Sequence, residues 1–256
     1  FELPGNTLRL ALVIAAGLTV AFGAQRTRTL LKKSVRETRR RKALTRFLPA
    51  EIAPLVANER FGAYRRGRRQ RATIMFVDIR NSTARAEDLD PQRLSVFISS
   101  FRRRVMRAVE ANGGIVDKFV GDGALILFGI EHEGEDHDGA AHAVACARQL
   151  LGLIDRWNAK RQFEPPVRVG IGIHTGEVDV GVVGDERRLE FTVLGDSVNV
   201  AARLEQLTKE VGMPLLASDT TVRAAGGEEG WRLVRDEPLR GKSANIRVLS
   251  PLDAPC

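Results

Sequence analysis

Residues 117–129 read DKFVGDGALILFG, an apolar stretch that carries a lysine and an aspartate four positions apart. Gly121 and Gly123 bracket Asp122, the composition of a tight turn, and residues 124–128 form a short apolar run that reads as a buried strand. The stretch is therefore a hairpin with Asp122 at its tip and Lys118 on its rising arm. Taken alone it has two readings: a turn-forming aspartate beside a solvated lysine, or two polar groups aimed at a ligand. The rest of the chain has to choose between them.

Working outward, ATIMFVDI (72–79) is a strand of branched and aromatic residues interrupted by Asp78. The segment from Asp90 to Gly114 predicts a helix, with Asp90 as N-cap, Pro91 in the first turn and Gly113 at the C-terminus. Its apolar face runs Leu94, Phe97, Phe101, Val105, Ala108 and Val109. Beyond the hairpin, a second helix is expected over about 139–160, then strands in VRVGIGIHTG (167–176), EVDVGVVG (177–184) and EFTVLG (190–195). DSVNVAARLEQLTKEVG (196–212) predicts a third helix closed by Gly212, followed by short strands up to residue 250. This β-α-β-β-α-β order gives the α+β class, a ferredoxin-like or palm-type sandwich with its helices on one face of a mainly antiparallel sheet.

Asp78 decides between the two readings of the hairpin. A carboxylate at the end of an apolar strand is costly to bury unless something pairs with it. In this topology the first strand lies beside the hairpin, so Asp78 and Asp122 face each other at the sheet's edge. Two close carboxylates repel, which raises a pKa, unless a divalent cation sits between them. A small set of hard oxygen ligands suits magnesium, which keeps waters and takes substrate phosphates as its other ligands. Two such ions bridging phosphate oxygens serve phosphoryl and nucleotidyl chemistry.

Charge is unevenly placed along the 256 residues, whose net charge is +8. Residues 26–71 hold sixteen Lys and Arg against Glu37, Glu51 and Glu59, a local balance of +13; residues 1–25 are neutral, so residues 72–256 stand at −5. A mildly acidic globular part argues against a nucleic-acid-binding face. Cys146 and Cys256 suggest no disulfide framework and fit a reducing compartment.

The run LRLALVIAAGLTVAFGA (8–24) is apolar apart from Arg9 and Thr19, at the short end of the roughly 17–25 residues that a spanning helix needs. A signal peptide would carry its positive charge before the run, and a buried soluble helix would show a polar stripe; this segment does neither. The expectation is a transmembrane helix in residues 1–25, a basic helical linker over 26–70 that meets anionic membrane lipid, a catalytic domain over 71–252 and a tail over 253–256. The positive-inside tendency puts the catalytic domain on the cytoplasmic side of the cell membrane. A chain that begins at Phe1 reads as a piece of a longer polypeptide.

Four ordered blocks, FVDIRNST, GGIVDKFVGDGALILFG, GIGIHTGEVDVGVVGDERRLEFTVLGDSVNVAARLE and PLRGKSANIRVL, resemble the catalytic domain of the class III nucleotidyl cyclases over about residues 72–250. The resemblance implies that Asp78, Asp122 and the Ile79 carbonyl hold two Mg2+ (or Mn2+) ions, and that Lys118 and Thr192 read the purine. It implies that Asn199 and Arg203 orient the ribose and stabilise the transition state, and that Lys242 touches the triphosphate. Arg168 is a further candidate for a phosphate contact. The corresponding arginine of relatives stands two residues nearer His174, where this chain has Gly170, and an offset of two keeps the same strand face. In this family two domains pair head to tail to make shared sites, so a single domain implies a homodimer.

A lysine donor with a threonine acceptor complements the N1 and N6 edge of adenine, which favours ATP. Many relatives carry aspartate at the threonine position, and threonine is typical of a bacterial membrane-anchored adenylate cyclase subgroup. The expected reaction is therefore the conversion of ATP to 3′,5′-cyclic AMP and pyrophosphate. A guanylate cyclase and a catalytically inactive membrane signalling or dimerisation module are the alternatives. A diguanylate cyclase is excluded because its Gly-Gly-(Asp/Glu)-(Asp/Glu)-Phe signature is absent. His132, Glu133, Glu135, Asp136, His137 and His142 read as an exposed acidic loop feeding a helix N-terminus rather than as a second metal cluster.

Overall fold

Branched residues with alternating burial build the strand at the centre of the molecule. β1 (Arg68–Ile79) turns Met75, Val77 and Ile79 to one side and Ile74, Phe76 and Asp78 to the other. The computed structural model describes residues 67–130, 139–184, 189–238 and 245–253. No helix among them is long and apolar enough to cross a membrane, and the span expected at 8–24 lies outside the described residues, as does the basic linker up to residue 66. β1 begins at Arg68, where the sequence reads as exposed linker. The reason is a long antiparallel partner: β4 (Val169–Gly184) pairs with β1 along its whole length, from Arg68 with Val180 to Ile79 with Val169. Its sixteen residues also merge what read as two separate strands.

After β1 come a short helix α1 (Ser82–Glu87), the long helix α2 (Pro91–Ala111) and the hairpin β2 (Ile115–Val120) and β3 (Gly123–Phe128). The cap of α2 is as expected: the Asp90 carboxylate accepts from the Arg93 N–H at 2.9 Å, with Pro91 at the first helical position. Phe97, Phe101, Val105, Ala108 and Val109 of its apolar stripe are buried. β3 lies antiparallel between β2 and β1, which sets the hairpin beside the first strand. Helix α3 (Gly139–Arg161), β5 (Leu189–Leu194), helix α4 (Asp196–Val211), β6 (Leu215–Ser218), the short α5 (Asp219–Ala224), β7 (Trp231–Pro238) and β8 (Asn245–Pro251) complete the order. The sheet runs β2-β3-β1-β4-β6-β8-β7, with β5 paired to the far half of β4. Among the described residues, all pairings are antiparallel except β4 with β6.

The helices do not share one face, contrary to expectation. α2 and α3 pack Phe97, Phe101, Leu150, Ile154 and Trp157 against Met75, Val77, Ile126, Ile171 and Ile173. α4 lies on the opposite face, and the alternate glycines of β4 explain why. A Cβ at Gly172 would run into the backbone of Ala201 and Glu205, and one at Gly176 would meet the Ser197 hydroxyl. β4 thus presents isoleucines to α2 and α3 and bare backbone to α4, which sits down on it. His174, on the glycine side, is 4% exposed and shares a 2.8 Å hydrogen bond with the Ser218 hydroxyl, as a packed strand histidine should.

Candidate active site

The end of β1 and the tip of the hairpin meet on the α4 face. Asp78 pairs in register with Gly170 of β4, and Val77 pairs with Ala124 of β3, so the next residue outward on the hairpin is Gly123. A Cβ on Gly123 would stand 2.9 Å from Asp78 Oδ1 and 3.0 Å from the Val77 carbonyl; only glycine lets the turn close this tightly. Gly121, on the other side of Asp122, has φ +61°, a left-handed conformation that glycine adopts without strain. From α2, Arg102 donates to the Gly121 carbonyl at 3.0 Å and lies 4.8 Å over the Phe119 ring, which fixes the turn from outside. Ile79 itself is 2% exposed, its side chain sunk in the apolar core.

The two carboxylates feel each other. Burial, then the charge of Asp122, push Asp78 up to about 6, with Arg80 opposing. Asp122 Oδ2 is a buried atom without a hydrogen-bond partner. An orphaned carboxylate oxygen beside a second carboxylate fits a divalent cation, as the sequence suggests. Among the described residues no group of three or more His, Cys, Asp and Glu side chains forms a closed cage. The donor set is therefore open, which suits an ion that completes its shell with water and phosphate.

Lys118 and Thr192 form a second pair. Lys118 Nζ, on β2, donates to Thr192 Oγ1, on β5, at 3.3 Å, and stands 3.6 Å from the buried Asp117 carboxylate. Seventy-four residues separate the two in sequence, and the fold places them side by side. Asn199 and Arg203 lie one turn apart on α4. The buried side of that helix is Ser197, Val200, Ala201, Leu204, Glu205 and Thr208, so Asn199 and Arg203 fall on the flank away from Asp78. Asn199 is exposed, and the half-buried Arg203 lines a cavity with Arg235, Ile246 and Val248 of the far strands. Arg168 is exposed and stands just before β4; its carbonyl accepts from the Arg80 N–H at 2.9 Å, and it lines a cavity of about 380 Å³ with Arg80, Asn81 and Asp155. Lys242, and His132, Glu133, Glu135, Asp136 and His137, lie outside the described residues.

Two residues at the site escaped the sequence reading. Arg80 stands 3.3 Å from the Glu205 carboxylate, and both side chains are largely buried. Burial outweighs that ion pair and raises the Glu205 carboxyl, and the nearby charges of Asp78 and Asp122 act in the same direction. The available signal was a glutamate among the core positions of α4, at the spacing of Ala201 and Thr208.

Residues 65–242 match the model of the adenylate and guanylate cyclase catalytic domain. Adenylate cyclase of Anabaena cylindrica is 34% identical over 217 residues, which are 79% of this chain and 41% of that protein. Among solved structures, the adenylyl cyclase CyaB from P. aeruginosa is similar with a TM-score of 0.62 and 26% identity over 73% of this chain and 96% of that one. The guanylyl cyclase Cya2 is similar with a TM-score of 0.61 and 31% identity over 72% of this chain and 92% of that one. The chain thus spans less than half the length of the Anabaena relative, and its similarities include enzymes named for either purine.

Proposed function

The chain belongs to the family of adenylate and guanylate cyclase catalytic domains, and from that premise we propose that it converts ATP to 3′,5′-cyclic AMP and pyrophosphate. One observation carries the reading: Asp78 at the end of β1 and Asp122 in the β2–β3 turn converge, leaving a buried carboxylate oxygen without a hydrogen-bond partner. These carboxylates and the Ile79 carbonyl would hold two magnesium or manganese ions. Bound there, such ions would make the ribose 3′-hydroxyl more acidic and offset the charge of the triphosphate.

The remaining work falls to side chains of this chain. Lys118 donates to adenine N1 and the Thr192 hydroxyl accepts from N6, and their mutual hydrogen bond supports their acting together. A threonine hydroxyl can also donate, so discrimination against GTP rests chiefly on the lysine. Asn199 orients the ribose, and the Arg203 guanidinium answers the charge that develops on the α-phosphoryl oxygens as the 3′-oxygen attacks and pyrophosphate leaves. Lys242 binds the triphosphate. Arg168, with its exposed guanidinium, is the lesser candidate for that task.

Asp78 lies on the sheet face that α4 covers, whereas Asn199 and Arg203 lie on the far flank of the same helix, whose body is about 10 Å across. That arrangement supports a head-to-tail homodimer in which each site takes its metals from one protomer and its base-reading and transition-state residues from the other. The apolar run at 8–24 and the basic segment after it support attachment to the cell membrane with the catalytic domain on the cytoplasmic side.

The test is a product assay on the full chain with manganese and either ATP or GTP. Cyclic AMP and pyrophosphate in equal amounts, with little product from GTP, are the expected result. Preferential formation of cyclic GMP would reassign the substrate, and no cyclic nucleotide from either would overturn the enzymatic reading.

A further inference from the structure

Arg80 and Glu205 belong neither to the carboxylate pair nor to the base-reading pair, yet they join the elements that carry both halves of the chemistry. Arg80 follows directly on Asp78 and Ile79. Its guanidinium lies over the Cα of Gly170, in the space that any Cβ there would fill. From that position it stands 3.3 Å from the Glu205 carboxylate and donates to the Glu205 carbonyl at 3.2 Å, while its own N–H donates to the Arg168 carbonyl at 2.9 Å. One residue therefore ties the end of β1 to the approach of β4 and to both backbone and side chain of α4. The side chains are 17% and 12% exposed. A buried pair of this kind is a poor source of net stability, because desolvating both charges offsets most of their attraction; its contribution is to fix geometry.

We propose that the Arg80–Glu205 pair is a positioning device that locks the metal-bearing end of β1 to helix α4. The inference rests on the shared-site reading above. Within one protomer, Asp78 serves one active site while Asn199 and Arg203 serve the other, so the pair ties half of each site to half of its neighbour. Glu205 lies two residues beyond Arg203 on α4, and Arg80 holds it by a hydrogen bond to its carbonyl and by charge at its carboxylate, which restrains the position of the helix over β1. The planar fork of arginine makes the two contacts at once, which a lysine cannot reproduce.

Mixed dimers of the full chain, with different affinity tags on the two protomers, test this. One protomer carries Asp78→Ala and the other Asn199→Ala, which leaves a single complete site whose metal ligands come from the second protomer and whose α4 residues come from the first. Arg80→Lys is then added to the Asp78→Ala protomer, which supplies no metal ligands to that site. Turnover should fall about tenfold while KM for ATP stays within about twofold, the signature of misplaced transition-state residues. Unchanged turnover in that arrangement would overturn the proposal and leave Arg80 as a local neighbour of Asp78. Arg80→Met with Glu205→Leu in an otherwise unaltered dimer guards against simple unfolding, since an apolar pair restores the thermal midpoint. That variant should remain slow once stable, and full activity at the restored midpoint would also overturn the proposal. A mixture that is inactive before any change at Arg80 would refute the shared site itself, and this inference with it.

Discussion

On one face of the sheet, α2 and α3 press Phe97, Phe101, Leu150 and Trp157 against Met75, Val77, Ile126 and Ile171; on the other, α4 rides on glycine backbone and brings Glu205 and Thr208 down toward Asp78 and Arg80. The first face is close-packed apolar volume. Phe97 stacks on Trp157 at 5.1 Å, and the Arg104 guanidinium covers the same indole at 4.1 Å. The second face combines backbone contact and charge over β4 with a smaller apolar cluster, in which Val200 and Leu204 of α4 meet Leu216, Ile246 and Val248. The larger apolar core thus lies on one side of the layer, and the candidate site shares the other side with a smaller one. Substitutions in the larger core should cost stability, and those beside Asp78 on the α4 face should cost turnover first.

Phe101→Ala removes a fully buried ring from the apolar face and should cost about 3–5 kcal/mol in denaturant unfolding, with turnover per folded molecule retained. Arg203→Ala, on the outer flank of α4, should lower kcat by about 10²-fold or more, roughly 2.7 kcal/mol of barrier, with KM and thermal midpoint nearly unchanged. Equal loss of kcat and ATP affinity would argue for a ground-state role instead. Gly172→Ala sits between the two regimes. Its methyl group would meet backbone atoms of α4 that cannot swing aside, so about 1–3 kcal/mol of stability should be lost together with a drop in turnover larger than Phe101→Ala produces.

The smallest effect is electrostatic. Asp78 in the folded protein titrates near 6, above its usual 3.8, so the folded state binds this proton more tightly than the unfolded state does. The stabilisation that results is complete below about pH 4 and lost as pH rises through about 6. In chelator, Asp78→Asn should therefore raise the thermal midpoint at pH 8 by about 2–4 °C, discounted for partial exposure, and leave it unchanged at pH 4. Saturating manganese should reverse the order at pH 8, because the wild-type carboxylate then gains a cation. A midpoint that is higher for Asp78→Asn at both pH values would point to packing rather than charge.

Much of this was legible along the chain. Asp90-Pro91 at the head of α2, the glycines around Asp122 and the buried run at 124–128 announced their elements because capping, turn and strand preferences act over a few residues. Asp78 stood out as a candidate because a carboxylate closing an apolar strand needs a partner, and its approach to Asp122 was legible from the expected strand order. The α4 face was less so. The alternating glycines at 170, 172 and 176 mark a close approach, but which element approaches is a matter of how strands and helices stack. Arg80 carries no signal of its own in the sequence, and only the arrival of Glu205 from 125 residues downstream gives it a place in the structure. The start of β1 at Arg68 went unread for the same reason: four charged or polar residues extend a strand when β4 is long enough to pair with them.

The sequence by itself determined most elements, the family and which carboxylate, lysine–threonine and asparagine–arginine side chains are the candidates, since these depend on residue type and short-range spacing. Only the tertiary structure decided that Lys118 touches Thr192, that Arg80 meets Glu205, and that α4 turns Glu205 toward Asp78 and Asp122 and Arg203 away from them. Those are outcomes of long-range pairing and of which face a helix buries, and free energies of that kind are summed over the whole fold rather than written in any one segment.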